Sequence, residues 1–452
     1  MSTGMNFEEI KNIIDGEAKA KGLSDYEIFF MQSESLSAET LKDEISSFAL
    51  SVSGGVNFRC IVDGKMGYAS TEAFDDGELR AIVGRAAANA AVIESDNPAK
   101  IFAGSEKYAK ISSPSFEMPD ASTVKNKALE LQRKTYSCSE YVTDGTQTGI
   151  GAEKIRTGIS NSHGLELENE TGAAFAYVQS VVRKADETDS DFEFCDGIYG
   201  DKVDALPQKA TDGALSKLGA AEVESENYDV VFSGKCMSSL LSAFSSVFSA
   251  KAAQNGLSLL RGKEGERVAS ECVTVTDDPM REGAMMQTSF DGEGVATYRK
   301  NVIENGVLKT LLYDLTTAAK AGVDSTGNGQ RPGYASAVTI QPYNFYINGG
   351  TVSEAELLAS VGDGLYITEV RGLHAGTNAS TGDFSVESAG YMIKDGKQGR
   401  AVKTFTVAGN FFDLLKRIER LSDNVYFGIS AGFTVFGSPA VLVRNISVGG
   451  QK

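Results

Sequence analysis

Two histidines, five cysteines and a set of glycine-rich turns bearing Asp, Glu and Asn are the groups in this chain that could do chemistry. His163 and His374 lie more than two hundred positions apart, and neither has a second His or Cys nearby. A catalytic zinc site usually takes three ligands from His, Cys and carboxylates, two of them often one helical turn apart. That spacing is missing, and only a mixed site assembled from distant residues stays open. A serine hydrolase needs its nucleophile on a strand-to-helix elbow, and no serine is read in that setting. His374 could be drawn with Asp383 and Ser385 as a triad, but nearness in sequence is not geometry. No GxxxxGK[ST] phosphate loop occurs, and the glycine-rich "STGNGQR" (Ser325 to Arg331) is weak evidence for nucleotide binding.

The cysteines, Cys60, Cys138, Cys195, Cys236 and Cys272, are far apart and odd in number, with no CxxC pair. Neither a disulfide framework nor a thiolate zinc cluster is indicated, and a reducing cytoplasm is expected. The N-terminal "MSTGMNFEEIKNII" has no basic segment followed by an apolar one, so no secretory signal is read. No run approaches the roughly 18 apolar residues of a membrane span. A formal net charge of −18 over 452 residues argues against a nucleic-acid partner.

The elements that must hold these groups alternate between helix and strand. Phe7, Ile10, Ile13 and Ile14 predict a first helix, and "DYEIFFMQ" a half-buried strand. "GVNFRCIVDGKMGYAST" reads as a hairpin turning at Asp63-Gly64, with Val56, Phe58, Cys60 and Val62 on one face. Leu79, Ile82, Val83 and Ala86 predict a helix over 75–93. "SSPSFEMPDAST" (Ser112 to Thr123) reads as a linker, followed by a helix, a strand-rich stretch to Cys195 and a helix near 203–219.

Beyond Tyr228 comes the short strand "YDVVFSG" and an amphipathic helix carrying Met237, Leu240, Leu241, Phe244, Val247 and Phe248. Hairpins are expected at Asn305-Gly306 and Asp395-Gly396. A capping box is read at Ser353 and Glu356, and a late helix carries Leu414, Leu415, Ile418 and Leu421. In "GTNASTGD", Asn378 and Asp383 are expected to cap backbone amides, which makes His374 a loop residue at the lip of a hairpin. The expected class is α+β. Residues 1–111 and 112–227 form two helix-plus-sheet units, and 228–452 a largely antiparallel, β-rich C-terminal domain.

Several of these stretches together resemble the TldD/PmbA family. They are "GGVNFRCIVDGKMGYAST", "YDVVFSG" with its helix, "FDGEGVATYRKNVIENGVLKTLLYD", "STGNGQR", "GLHAGTNASTGDFS", "TVAGNFFDLLKRIERLSDN" and "LVRNISVGG". The order is the family's, and nearly the whole chain is covered. The resemblance implies a cytoplasmic metalloprotease system, once named for modulation of DNA gyrase, in which TldD pairs with TldE (PmbA) to trim unfolded or leader peptides. In the TldD type an HExxxH motif and a late cysteine hold zinc, and the glutamate is the general base.

Here the motif would fall at Leu241 to Ser246, with Leu and Ser in place of imidazole and Ser242 in place of the base. "YFGISAGFTVFGSP" lacks the cysteine, while "GLHAGTNASTGDFS" has the PmbA form. The resemblance therefore implies a subunit with no zinc and no catalytic residue of its own. Zinc would come with a TldD-like partner in a heterodimer, the alternative being a homodimeric peptide- or protein-binding module. The cleft-facing candidates it implies are Asp291, Glu293, Asn328, Arg331, His374, Asn378 and Asp383.

Overall fold

The computed structural model describes residues 6–94, 99–111 and 116–450. The start of the stretch read for a leader (1–5) and the Ser112–Ser115 part of the expected linker lie outside the described residues.

Helix α1 (Phe7–Ala20) starts at a capping box in which Asn6 and Glu9 exchange side-chain and backbone bonds of 2.9 Å each. It buries Ile10, Ile14 and Ala18, one face at helical spacing. β1 (Tyr26–Leu41), β2 (Glu44–Val62) and β3 (Lys65–Thr71) form an antiparallel meander, and α2 (Asp76–Val92) packs back on β2 and β3. Asp63 and Gly64 take positive φ at the second turn, as a tight hairpin requires. After α3 (Ala121–Cys138), β4 (Gln147–Asn161), β5 (Glu166–Lys184) and β6 (Glu187–Asp196) form a second meander, closed by α4 (Asp201–Lys217).

Both meanders contribute to one six-stranded sheet in the order β3-β2-β1-β4-β5-β6, joined by the β1–β4 ladder from Glu27↔Asn161 to Leu41↔Gln147. Side chains alternate faces along β1. Tyr26, Ile28 and Phe30 pack with α1 and α2, and Leu36 and Ala38 with α3 and α4. All four helices thus cover one face, and the intervening residues, Glu27 and Phe29 among them, point to the other.

In the C-terminal region β7 (Glu226–Phe232) runs parallel to the strand 364–371 and antiparallel to 441–449. The strands 383–394 and 397–410 complete that sheet, and pairing of Thr406–Ala408 with Ser447–Gly449 closes it on itself. A second six-stranded sheet includes 275–277, 300–304, 344–347 and 435–438. α5 (Gly234–Ala243) and most of the large apolar core lie against these two sheets. The class is α+β with largely antiparallel sheets, as expected. No helix among the described residues is long and apolar enough to cross a membrane.

Two local expectations change. The amphipathic helix read through Phe248 stops at Ala243, and a 3-10 turn covers Ser245–Phe248. Ser242, Ser245 and Ser246 hold the helix weakly, and the tighter turn lets Phe244, Val247 and Phe248 all point inward. Phe244 stacks on Phe411 at 4.5 Å. The late helix ends at Arg417, because Ile418–Leu421 pairs as a strand with Val441–Val443. A neighbouring backbone there outweighs local periodicity.

Candidate functional site

Three of the seven candidate residues, Asp291, Glu293 and Arg331, meet on the face of the N-terminal sheet opposite the helices, and Asn328 lies in the layer beside them. Glu27 projects there from β1 and is wholly buried. Arg59, directly opposite it on β2, donates from Nη2 to Glu27 Oε2 at 2.9 Å. Its Nε lies 2.9 Å from Oε1 but is not aligned for a hydrogen bond. Arg331 arrives from the C-terminal region and donates from Nη2 to Glu27 Oε1 at 2.6 Å. Its guanidinium lies 4.4 Å over the Phe29 ring, the next outward-facing residue of β1.

Asp291 and Glu293 complete this cluster from "FDGEGV". Asp291 Oδ1 accepts the N–H groups of Glu293 (2.9 Å) and Val295 (3.0 Å), which fixes the turn, and Oδ2 accepts Gly329 N–H at 2.9 Å. Glu293 Oε2 accepts Leu315 N–H at 2.8 Å, and Oε1 lies 3.9 Å from Arg59 Nη1. A Cβ at Gly329 would stand 2.6 Å from Glu293 Oε2, so only glycine lets this backbone pass. Burial, then the charge of Glu293, pushes the Asp291 carboxyl above its ordinary range. Burial also raises Glu293, against the pull of Arg59. Three carboxylates beside two guanidinium groups are neutral when the Asp291–Glu293 pair keeps one proton.

Asn328 fastens the adjoining layer. It donates to Asp277 Oδ2 (2.8 Å) and the Gln341 carbonyl (3.0 Å), and accepts from the Thr326 hydroxyl (2.8 Å). Asp277 also pairs with Lys300 at 3.1 Å and accepts Tyr343 N–H at 2.7 Å. Asp277 and Lys300 were missed in the sequence: Asp277 lies outside every stretch singled out there, and Lys300, inside "FDGEGVATYRKNVIENGVLKTLLYD", has no spacing that marks it as a partner of Asp277. A cavity of about 30 Å³ beside Phe29, Asp291, Arg331 and Tyr343 is the size of a single water. These carboxylates are satisfied by backbone donors and buried cations, so the cluster joins the sheet to the C-terminal region and exposes no base to a substrate.

The other three candidates lie elsewhere, on the exposed surface around 373–383. His374 sits in a one-turn helix, Leu373–Gly376, and has no hydrogen bond among the described residues. Asn378 Oδ1 accepts Ser380 N–H (3.1 Å) and Thr381 N–H (3.4 Å), the capping role expected. Asp383 does not cap: its Oδ1 accepts from Asn410 Nδ2 at 2.9 Å. No His374–Asp383–Ser385 triad forms. Gly428-Ile429-Ser430-Ala431-Gly432 does match the GxSxG letters, but it leads into the strand Val435–Ser438 and not into a helix, so Ser430 is on no elbow. His163, the other imidazole, lies 3.1 Å from the half-buried Asp25.

The larger opening is a groove of about 760 Å³ between β6, α4 and the start of α5. It continues past Glu193, Lys209 and Tyr426 on one side and past Lys217, Glu369 and Arg371 on the other. Lys217 bonds Asp191 at 2.7 Å and lies 3.7 Å from Glu369, which Arg371 meets at 2.7 Å. Lys235 donates to the Phe192 carbonyl at 2.8 Å. The groove draws its walls from segments far apart in sequence, so no local spacing could have revealed it.

The positions matched to HExxxH carry Leu241, buried in the core, and the exposed Ser242 and Ser246. An alkyl group and two hydroxyls do not fit a zinc ion. No group of three or more His, Cys, Asp or Glu able to hold a metal occurs among the described residues.

Comparison with known proteins places this α+β sheet domain and closed β-rich domain with the PmbA/TldD proteins. Residues 225–450 match the pattern of the PmbA/TldA metallopeptidase C-terminal domain, and 26–90 that of the PmbA/TldA metallopeptidase domain 1. An uncharacterized protein of Methanocaldococcus jannaschii is 30% identical over 88% of this chain and 91% of its own length. The Haemophilus influenzae metalloprotease PmbA homolog is 23% identical over 90% of each. A Thermotoga maritima structure named as a modulator of a DNA gyrase superposes with a TM-score of 0.88 at 29% identity, covering 98% of this chain and 100% of its own. TldE from Thermococcus kodakarensis, at 22% identity and a TM-score of 0.88 over 97% of this chain and 99% of its own, shares the fold. The chain belongs to the PmbA/TldD family.

Proposed function

We propose that this chain is a TldE/PmbA-like subunit, without zinc of its own, of a TldD/TldE-type metalloprotease assembly acting on unfolded or leader peptides in the cytoplasm. The observation that carries the reading is Leu241. It occupies a position matched to a zinc-binding histidine, and its side chain is spent on the apolar core. Ser242, at the position of the general base, has a hydroxyl too weak to take a proton from water near neutral pH.

A TldD-type partner would bring the zinc and the water-activating glutamate, and this chain would help hold and select the peptide. The groove suits such a role. Its walls carry both charges and the rings of Phe192, Tyr366, Tyr391 and Tyr426, so varied side chains and chain ends find a partner. The test is zinc content of the untagged chain purified alone, then peptide cleavage after adding a TldD-type chain. Little zinc alone and cleavage only in the mixture are expected. One zinc per chain surviving dialysis would overturn the reading.

A further inference from the structure

Beyond Glu193 and Tyr426 the groove widens into a lobe of about 650 Å³ between β6, α4 and the loop that carries Arg281. Three cations along the groove are already matched by acids: Lys209 meets Glu193 at 2.6 Å, Lys217 meets Asp191 at 2.7 Å and Arg371 meets Glu369 at 2.7 Å. Lys235 rests on a carbonyl, and Lys202 and Lys403 are exposed. Arg281 differs from all of these. It is half-buried and has no carboxylate within 4.0 Å among the described residues. Asp196 and Asp278 act on it from beyond that distance, and Asp278 pairs with Arg299 at 3.6 Å. Among the described residues, the one hydrogen bond of its guanidinium runs from Nη1 to the Glu282 carbonyl at 3.2 Å, while Nε is shut off from water with no acceptor. Burial without a paired charge is costly for a guanidinium and depresses its pKa.

The side chain is nonetheless held in place. Its Cζ lies 3.8 Å over the Phe427 ring, and Phe427 is itself packed on Tyr346 at 5.3 Å. The backbone is tied by the Arg281 N–H to the Asp278 carbonyl at 3.3 Å, and by Gln287 Nε2 to the Arg281 carbonyl at 2.8 Å. A guanidinium fixed on a ring keeps its donors arranged, so little freedom is lost when it meets an anion. Three cations against two acids line the lobe, in a chain whose net charge is −18. A singly charged carboxylate suits one arginine beside Glu193 and Asp196, whereas a phosphate dianion would meet their repulsion with few donors.

We infer that Arg281 anchors a carboxylate of the bound peptide, either its C-terminus or an Asp or Glu side chain, and so favours peptides that present one in this lobe. The inference rests on the reading of the groove as a peptide site. The guanidinium donates to the carboxylate as an arginine fork does, and the rings of Phe194, Tyr426 and Phe427 flank the neighbouring peptide residues.

The chain has no tryptophan, so fluorescence anisotropy of a peptide with a single tryptophan reports binding to the untagged full chain alone. Four versions of one unstructured peptide are compared: with a glutamate and a free C-terminus, with glutamine in its place, with a C-terminal amide, and with both changes. The doubly neutral peptide is expected to bind the wild-type chain about tenfold more weakly than the first, the effect of one charge-assisted hydrogen bond. The single change that causes the larger part of the loss identifies the carboxylate. Arg281→Gln is expected to bring the first peptide down to the affinity of the neutral one and to leave the neutral one unchanged, which also shows that the variant is folded. Arg281→Lys keeps the charge without the fork and is expected to fall between. Equal binding of the four peptides by the wild-type chain, binding of none, or a difference that survives Arg281→Gln would each overturn the inference. Cleavage of all four at equal kcat/KM by the mixture with a TldD-type chain would remove the anchor and keep the subunit reading. Arg281-dependent binding with no cleavage in that mixture would keep the anchor and remove the subunit reading.

Discussion

Glu27 and Arg331 stand 304 positions apart in the chain and meet at 2.6 Å with both side chains almost wholly out of water. Arg59 meets Glu27 from the neighbouring strand, so one carboxylate holds two guanidinium groups. The contact joins the open face of the first sheet to the loop that follows Gly329. It is one of several contacts between the two regions that wall the groove, with Ser216–Tyr391 at 2.6 Å and Lys235 on the Phe192 carbonyl at 2.8 Å.

Removing the shared carboxylate leaves two buried cations with little compensation. Glu27→Gln is expected to cost about 3–5 kcal/mol of stability, the range for breaking a buried ion pair from one side. Urea unfolding of the variant measures it. A loss well under about 1 kcal/mol would show that water reaches these groups and screens them.

Stability should also depend on pH through Asp291. Its carboxyl is raised in the folded chain, so the folded state binds more protons than the unfolded state above the ordinary carboxylate range near about pH 4. That contribution is fully present below the unfolded value and is lost as the pH rises through the folded one. Glu293→Gln removes the neighbouring charge and should flatten the decline. Unfolding free energies measured for both proteins from acid to mildly alkaline pH decide it, and parallel curves would contradict the coupling.

Two glycine-to-alanine changes should move stability in opposite directions. At Gly329 a Cβ would press on Glu293 Oε2 at 2.6 Å and Asp291 Oδ2 at 3.2 Å, and a loss of about 1–3 kcal/mol is expected. At Gly16, inside α1, a Cβ meets nothing within 4 Å, and a gain of roughly 0.5–1 kcal/mol is expected from helix propensity. Thermal unfolding midpoints of the pair check both signs.

If the groove holds peptide, its cations should matter more than the exposed imidazole. Lys235→Ala is expected to lower kcat/KM of a reconstituted assembly about tenfold, the worth of one charge-assisted hydrogen bond of about 1.4 kcal/mol. His374→Ala should leave the rate near wild type. Cleavage assays with an unfolded peptide would separate the two, and the reverse order would move the peptide site to the 373–383 surface.

Local structure was largely legible in the sequence because it depends on near neighbours. The apolar spacing of α1 and α2, the Asp63-Gly64 and Asn305-Gly306 turns and the Ser353–Glu356 capping box are all where the residues put them. Elements that depend on a distant partner were not. Ile418–Leu421 has helical spacing but is claimed by the strand 441–449, and the helix through Phe248 yields to aromatic packing around Phe411.

The same division holds for the site. The sequence by itself determined that Leu241, Ser242 and Ser246 offer no imidazole, since side-chain chemistry is fixed by identity. The resemblance to the family, and not the residues alone, singled out "FDGEGV" and "STGNGQR". Only the tertiary structure decided that Asp291, Glu293, Asn328 and Arg331 are buried fasteners, set apart from His374, Asn378 and Asp383. It also supplied Glu27, Arg59, Asp277 and Lys300 as their partners. A charge acquires its role from what burial leaves beside it, and burial is a property of the whole fold.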